Sequence, residues 1–180
     1  MTLQDNATFT SYLPQEVLAA PKTPPNFIVT SDREFQLQPF YVDWSSAGGR
    51  IKAPPSKIRW LAVAQSDTLL GWLETPQVPI RVVVYIYPQV NATGIPREDL
   101  GSEYRCIQGN SPQGFCVYHK ASHSGKDAIL LNLRHRLDAD ACYVVVNVSW
   151  IVPHPQVELS GNPDNNEVSA SWGWHRCSHL

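Results

Sequence analysis

Cys116, His119 and His123 lie close enough in sequence to suggest a thiol nucleophile beside a base. In an extended strand, however, Cys116 and His119 project to opposite faces, so the two cannot meet. HSGKD (123–127) contains the Gly-Lys of a phosphate-binding loop, but such a loop needs Gly at 120 and a hydroxyl at 127, where this chain has Lys120 and Asp127. GNSPQG (109–114) carries a serine between glycines, yet it sits in a hairpin and not at the strand-to-helix turn that exposes a hydrolase nucleophile. The sequence therefore predicts no catalytic residue and no enzymatic activity. Near the C-terminal end His175, Cys177 and His179 alternate, which in an extended tail places three ligands on one side; Cys106, Cys116, His119 and His123 form a looser group. Neither has the spacing of a zinc module. The preferred reading is a tail whose Trp172 and Trp174 pack on a neighbour while the histidines stay solvated, with no metal and no cofactor.

The elements that would position any site follow from composition. The 180 residues carry 14 Lys+Arg against 16 Asp+Glu, a formal charge of -2, so there is no polybasic stripe to grip phosphates and no acidic tail. Hydrophobic residues make up 43% and include six Trp, which demand a core. Fifteen prolines, one Met and short Val- and Ile-rich runs point to an all-β chain. No stretch reaches the roughly 18 apolar residues of a membrane span, and Met1 to Ala20 lacks the features of a signal peptide. The expectation is a soluble cytosolic protein in which Cys106, Cys116, Cys142 and Cys177 are buried free thiols. The glycosylation triplets at Asn6, Asn91 and Asn147 are then chance occurrences, and Asn147 falls mid-strand.

Along the chain, residues 1–30 read as a polar, proline-broken arm, 31–159 as the β domain, and 160–180 as a second arm. From Glu34 to Trp44 the apolar parity switches near Pro39, as at a strand bend. Pro79 to Tyr87 is the clearest strand, with Ile80, Val82, Val84 and Ile86 inward and Arg81, Val83, Tyr85 and Tyr87 outward. PREDL (96–100) predicts one Pro-started helical turn. Ala128 to Leu137 and Ala141 to Val152 alternate cleanly. Seven or eight strands with irregular connections predict a sandwich or jelly roll.

Three stretches, PPNFIVTSDREFQLQPFYV, RVVVYIYPQVNATGIPREDLGSEYRCIQG and AILLNLRHRLDADACYVVVNVSWIVPHP, resemble in pattern and spacing the coat proteins of tymoviruses and their relatives. The resemblance implies an eight-stranded antiparallel jelly-roll sandwich with extended arms. It implies a structural subunit, found in the virion and assembled in the host cytoplasm, that self-associates into an icosahedral shell. That shell would enclose single-stranded RNA together with polyamines or cations, with no membrane. By the same resemblance His154, just after the last strand, faces RNA; Arg134 and Arg136 would add a modest basic face. Tyr41, Trp72, Tyr85, Tyr87, Trp172 and Trp174 are the candidate subunit-interface anchors. The chain departs from the family at GGRIKAPPSK, which lacks a histidine the family uses there, and in the shortness of Trp44 to Lys57. The alternative is a ligand-binding sandwich, lectin-like or otherwise, which would be marked by disulfides or by a glycan ligand.

Overall fold

A computed structural model describes residues 20–46, 49–64, 69–111, 114–134, 142–152 and 167–176. The fold is all-β. The strands are β1 (Phe27–Thr30), β2 (Glu34–Leu37), β3 (Tyr41–Ser46), β4 (Gly49–Ala53), β5 (Leu61–Ala62), β6 (Leu69–Leu73) and β7 (Arg81–Tyr87). They continue with β8 (Ser102–Arg105), β9 (Ile107–Gln108), β10 (Cys116–His123), β11 (Lys126–Leu133), β12 (Tyr143–Ile151) and β13 (Glu167–His175). One sheet has the order β2-β1-β6-β11-β10-β9 and the other β4-β3-β13-β12-β7-β8, with β5 pairing in parallel beside β13.

The two sheets bury their facing residues against each other. On β7, Val82, Val84 and Ile86 point inward; on β12, Val144, Val146, Val148 and Trp150; on β13, Val168, Ala170, Trp172 and Trp174. From the opposite sheet come Phe27, Val29, Leu73, Ile129, Leu131 and Leu133. Phe27 meets Trp172 with ring centroids 5.4 Å apart, which stitches the layers together. Gly71 leaves room for the Phe27 ring, since a Cβ there would lie 2.8 Å from it.

The strand order departs from the expected jelly roll. Sheet neighbours β1-β6-β11-β10 and β13-β12-β7-β8 are all antiparallel. That is the order A-B-E-D facing G-F-C-C′ of immunoglobulin-type sandwiches. The added β3–β4 pair extends the β13 side. A local cause is the Ser124-Gly125 turn, whose φ values of 51 and 78 are those of a two-residue hairpin, so β10 and β11 stay side by side in one sheet. Among the described residues there are thirteen strands where eight were expected.

Both expected arms contribute strands. Phe27–Thr30 of the first is β1, and Glu167–His175 of the second is β13, a central strand paired with β12, β3 and β5. The strand expected from Pro79 begins two residues later, at Arg81, and Ile80, expected inward, is exposed ahead of it. The bend at Pro39 is present as the break between β2 and β3, and the expected turn as a 3-10 turn at Glu98–Leu100 that starts two residues after Pro96, with Arg97 as its N-cap.

The free-thiol expectation is corrected. Cys106 and Cys116 form a disulfide, and Cys142 is disulfide-bonded as well. Sequence spacing gave no sign of this because ten residues and a change of sheet separate Cys106 from Cys116. An oxidised Cys116 also removes the nucleophile weighed above. Cys177 lies outside the described residues.

Candidate ligand groove on the outer face of one sheet

Period-two alternation turns the odd-numbered residues of β7, β12 and β13 away from the core. Register lines them up in rows across the sheet. Tyr87 stands opposite Tyr143, and Tyr143 opposite His175; Tyr85 stands opposite Val145, and Val145 opposite Gly173; Val83 stands opposite Asn147, Asn147 opposite Ser171, and Ser171 opposite Tyr41. The loops 54–58 and 95–103 rise on either side, and together they enclose a groove of about 800 Å³. Its floor carries Asn147, Ser169 and Ser171, its aromatic wall Phe40, Tyr41, Tyr85 and Tyr87, and its rim the carboxylates Glu98 and Glu103.

The walls are braced from below. Trp60 lies on Gly173, where a Cβ would come within 2.6 Å of its ring, and its indole N–H donates to the Gly94 carbonyl at 2.8 Å. Trp60 also packs edge-on against Tyr143 at 4.9 Å. Tyr85 and Tyr87 stack nearly parallel, and Gly101 presses on the Tyr87 ring closely enough that a Cβ would lie 2.5 Å from it. On the floor, Asn147 donates through Nδ2 to the Ser171 hydroxyl at 2.8 Å. That bond leaves the carboxamide oxygen and the serine proton to face a ligand.

The groove is acidic and phenolic, and among the described residues no Lys or Arg lines it, although the charges of Arg81 and Arg105 act on Tyr85. Burial, with Glu98 second and then Tyr85 and Glu103, pushes the Tyr87 hydroxyl from its ordinary 10.0 up to about 12. Burial and the Glu103 charge raise Tyr85 too. Both phenols are thus hydrogen-bond donors across the physiological range. Absorbance titration should find Tyr87 still protonated above pH 10 and ionising near about 12, and Glu98→Gln should lower that value. Because the folded value lies above the unfolded one, its stability contribution is complete below pH 10 and lost as pH climbs through about 12.

Of the six residues expected at a subunit interface, Tyr41, Tyr85 and Tyr87 come together in this groove. Trp172 and Trp174 do not belong to any exposed surface: they are fully buried, because β13 turns its even positions inward. Trp72 is half-buried on the other sheet, its ring 4.8 Å from His123, which in turn contacts Glu34 at 2.8 Å. Arg134 directs its guanidinium to the Ser111 carbonyl and to Asn110 Oδ1, fastening those two residues. Arg136 and His154 lie outside the described residues, as do Cys177 and His179 of the alternating tail, whereas His175 stacks near Tyr143 at 4.8 Å. Among the described residues no three His, Cys, Asp or Glu side chains gather as a metal site would require.

Sequence reasoning missed Phe40, Asn147, Ser169, Ser171, Glu98 and Glu103. The available signal was parity: the outward residues of β12 and β13 are small or polar where Tyr85 and Tyr87 face outward beside them. No family model, no curated protein and no solved structure matches the chain.

Proposed function

We propose that this protein is a non-catalytic binding module whose groove holds a neutral, ring-bearing polyol, a saccharide. The observation that carries this reading is the lining itself. Tyr85, Tyr87, Tyr41 and Phe40 offer apolar ring faces, while Asn147, Ser169, Ser171, Glu98 and Glu103 offer donors and acceptors suited to hydroxyl groups. Among the described lining residues an anionic ligand such as RNA would meet two carboxylates and no Lys or Arg. The disulfides agree with a module of this kind, since such bonds persist in oxidising compartments.

Titration of neutral oligosaccharides, followed by NMR, tests it. Shifts should concentrate on 40–41, 85–87, 145–147 and 169–171. The Tyr85→Ala/Tyr87→Ala double variant should weaken binding by about tenfold or more, equivalent to about 1.4 kcal/mol. Binding should change little between low and high salt. A broad panel that shifts none of these residues would overturn the reading.

A self-assembling coat-protein subunit, built on this sandwich and not on a jelly roll, is the second reading, favoured by one observation. The outermost strands β4 and β9 each expose a large apolar side chain, Ile51 at 58% and Ile107 at 52%. Apolar outer strands invite pairing with another copy. Self-association into a shell around RNA would make the chain sediment as a large particle. A chain that stays monomeric across concentration and pH removes this reading and leaves the groove untouched.

A further inference from the structure

The chain contains three Asn-x-Ser/Thr triplets, at Asn6, Asn91 and Asn147. The structure separates two of them; Asn6 lies outside the described residues. Asn147 is committed to the sheet: it sits mid-β12, half-buried, and its Nδ2 donates to Ser171 Oγ at 2.8 Å. A sugar on that nitrogen would take one of its two hydrogens and crowd the Ser171 hydroxyl and the Ala170 carbonyl that it faces.

Asn91 is the opposite case. It is exposed at the tip of a loop closed by the Val90–Pro96 bridge. Its Oδ1 accepts three bonds, from the Thr93 N–H at 2.9 Å, the Thr93 hydroxyl at 2.8 Å and the Ile95 N–H at 2.9 Å. The carboxamide is therefore held by its oxygen in an Asx turn, with the hydroxyl of the same triplet against it. The loop is itself anchored, since Ile58 N–H donates to the Thr93 carbonyl at 2.9 Å and Trp60 holds Gly94. Gly94 has φ +82 and no room for a Cβ, which would lie 2.3 Å from the Ile58 carbonyl oxygen. The disulfides supply the second, independent observation: all three described cysteines, Cys106, Cys116 and Cys142, are oxidised, as in proteins that mature where glycan transfer also occurs.

We propose that Asn91 is an N-glycan attachment site of the folded protein and that Asn147 is not. In the transfer, Asn91 Nδ2 bonds to C1 of the sugar and the C1–O bond to a polyprenyl diphosphate carrier breaks. The diphosphate leaves with the electron pair, and the amide proton passes to a base of the transferase. Asn91 is not among the groove-lining residues, so the glycan stands outside the ligand site.

The test uses the full chain fused to a cleavable signal peptide, translated into endoplasmic-reticulum microsomes and, in parallel, secreted from a eukaryotic host. Digestion with peptide N-glycosidase in heavy-oxygen water, followed by peptide mapping, should place an isotope-labelled Asp at 91 and none at 147 in the disulfide-bonded product. Asn91→Gln and Thr93→Ala should each reduce the microsomal product by one glycan, and Thr93→Ser should retain it. An unmodified Asn91 in either product, or a glycan at 147 in the disulfide-bonded fraction, overturns the assignment. None of these outcomes depends on saccharide binding in the groove.

Discussion

Replacing Trp150 with alanine is expected to lower stability by about 3–5 kcal/mol, the range for emptying a large aromatic side chain from a core. Trp150 has no exposed surface and lies edge-on to Trp44 with centroids 5.5 Å apart. Its indole N–H donates to the Gln77 carbonyl at 3.0 Å, fixing the segment that leads into β7. Trp44 in turn donates to the carbonyls of Pro21 and Lys22 at 3.2 and 3.1 Å, so the same cluster ties down the chain ahead of β1. Trp150→Phe keeps much of the packing but strands the Gln77 carbonyl, at a cost of about 1–3 kcal/mol. Since domains of this size have only about 5–15 kcal/mol in hand, the alanine variant should approach global unfolding. Urea denaturation gives the check: an alanine variant within about 1 kcal/mol of wild type would contradict this account of the core.

The Cys106→Ser/Cys116→Ser double variant is expected to lose about 2–3 kcal/mol, the loop-closure value for a short crosslink. Cys106 lies at the point where the chain leaves β8 in one sheet and enters β9 in the other, and Cys116 opens β10. The bond therefore fastens the crossing itself, beside the stacked rings of Tyr104 and Phe115 at 4.3 Å. Serine substitution is the cleaner probe, because a reductant would open the bond at Cys142 as well. Equal thermal midpoints for the variant and the oxidised wild type would show that the bond constrains nothing the sheets do not already hold.

Alternation made β7, β11 and β12 legible in sequence, because one of their faces is uniformly apolar and the register then follows. β13 was not, for a reason visible in its composition. Three of its outward residues are Ser169, Ser171 and Gly173 and its inward Ala170 is small, so only Val168, Trp172 and Trp174 mark a buried face and the run resembles a tail until β12 is placed beside it. Those small outward residues are also what hollows the groove. Tyr85 and Tyr87 could be singled out as outward aromatics from their strand alone. Glu98 and Glu103 could not, since they reach the same site from a loop and a neighbouring strand. The disulfide lay beyond reach for the same reason: it depends on which loops meet, and that is decided by strand order and not by local pattern.

Strand β3 finds its inter-strand partners in β4 and in β13, with Asp43 opposite Ser169 near the far end of the chain. In kinetic terms, the sheet containing β1, β6 and β11 can be complete as soon as residue 133 has been made. The other sheet must wait for residue 175, and until then β3 and β4 form a hairpin with no sheet to join. So non-local a closure places the protein among slow folders, and leaves one hydrogen-bonding edge of β12 unpaired on a nascent chain until β13 arrives.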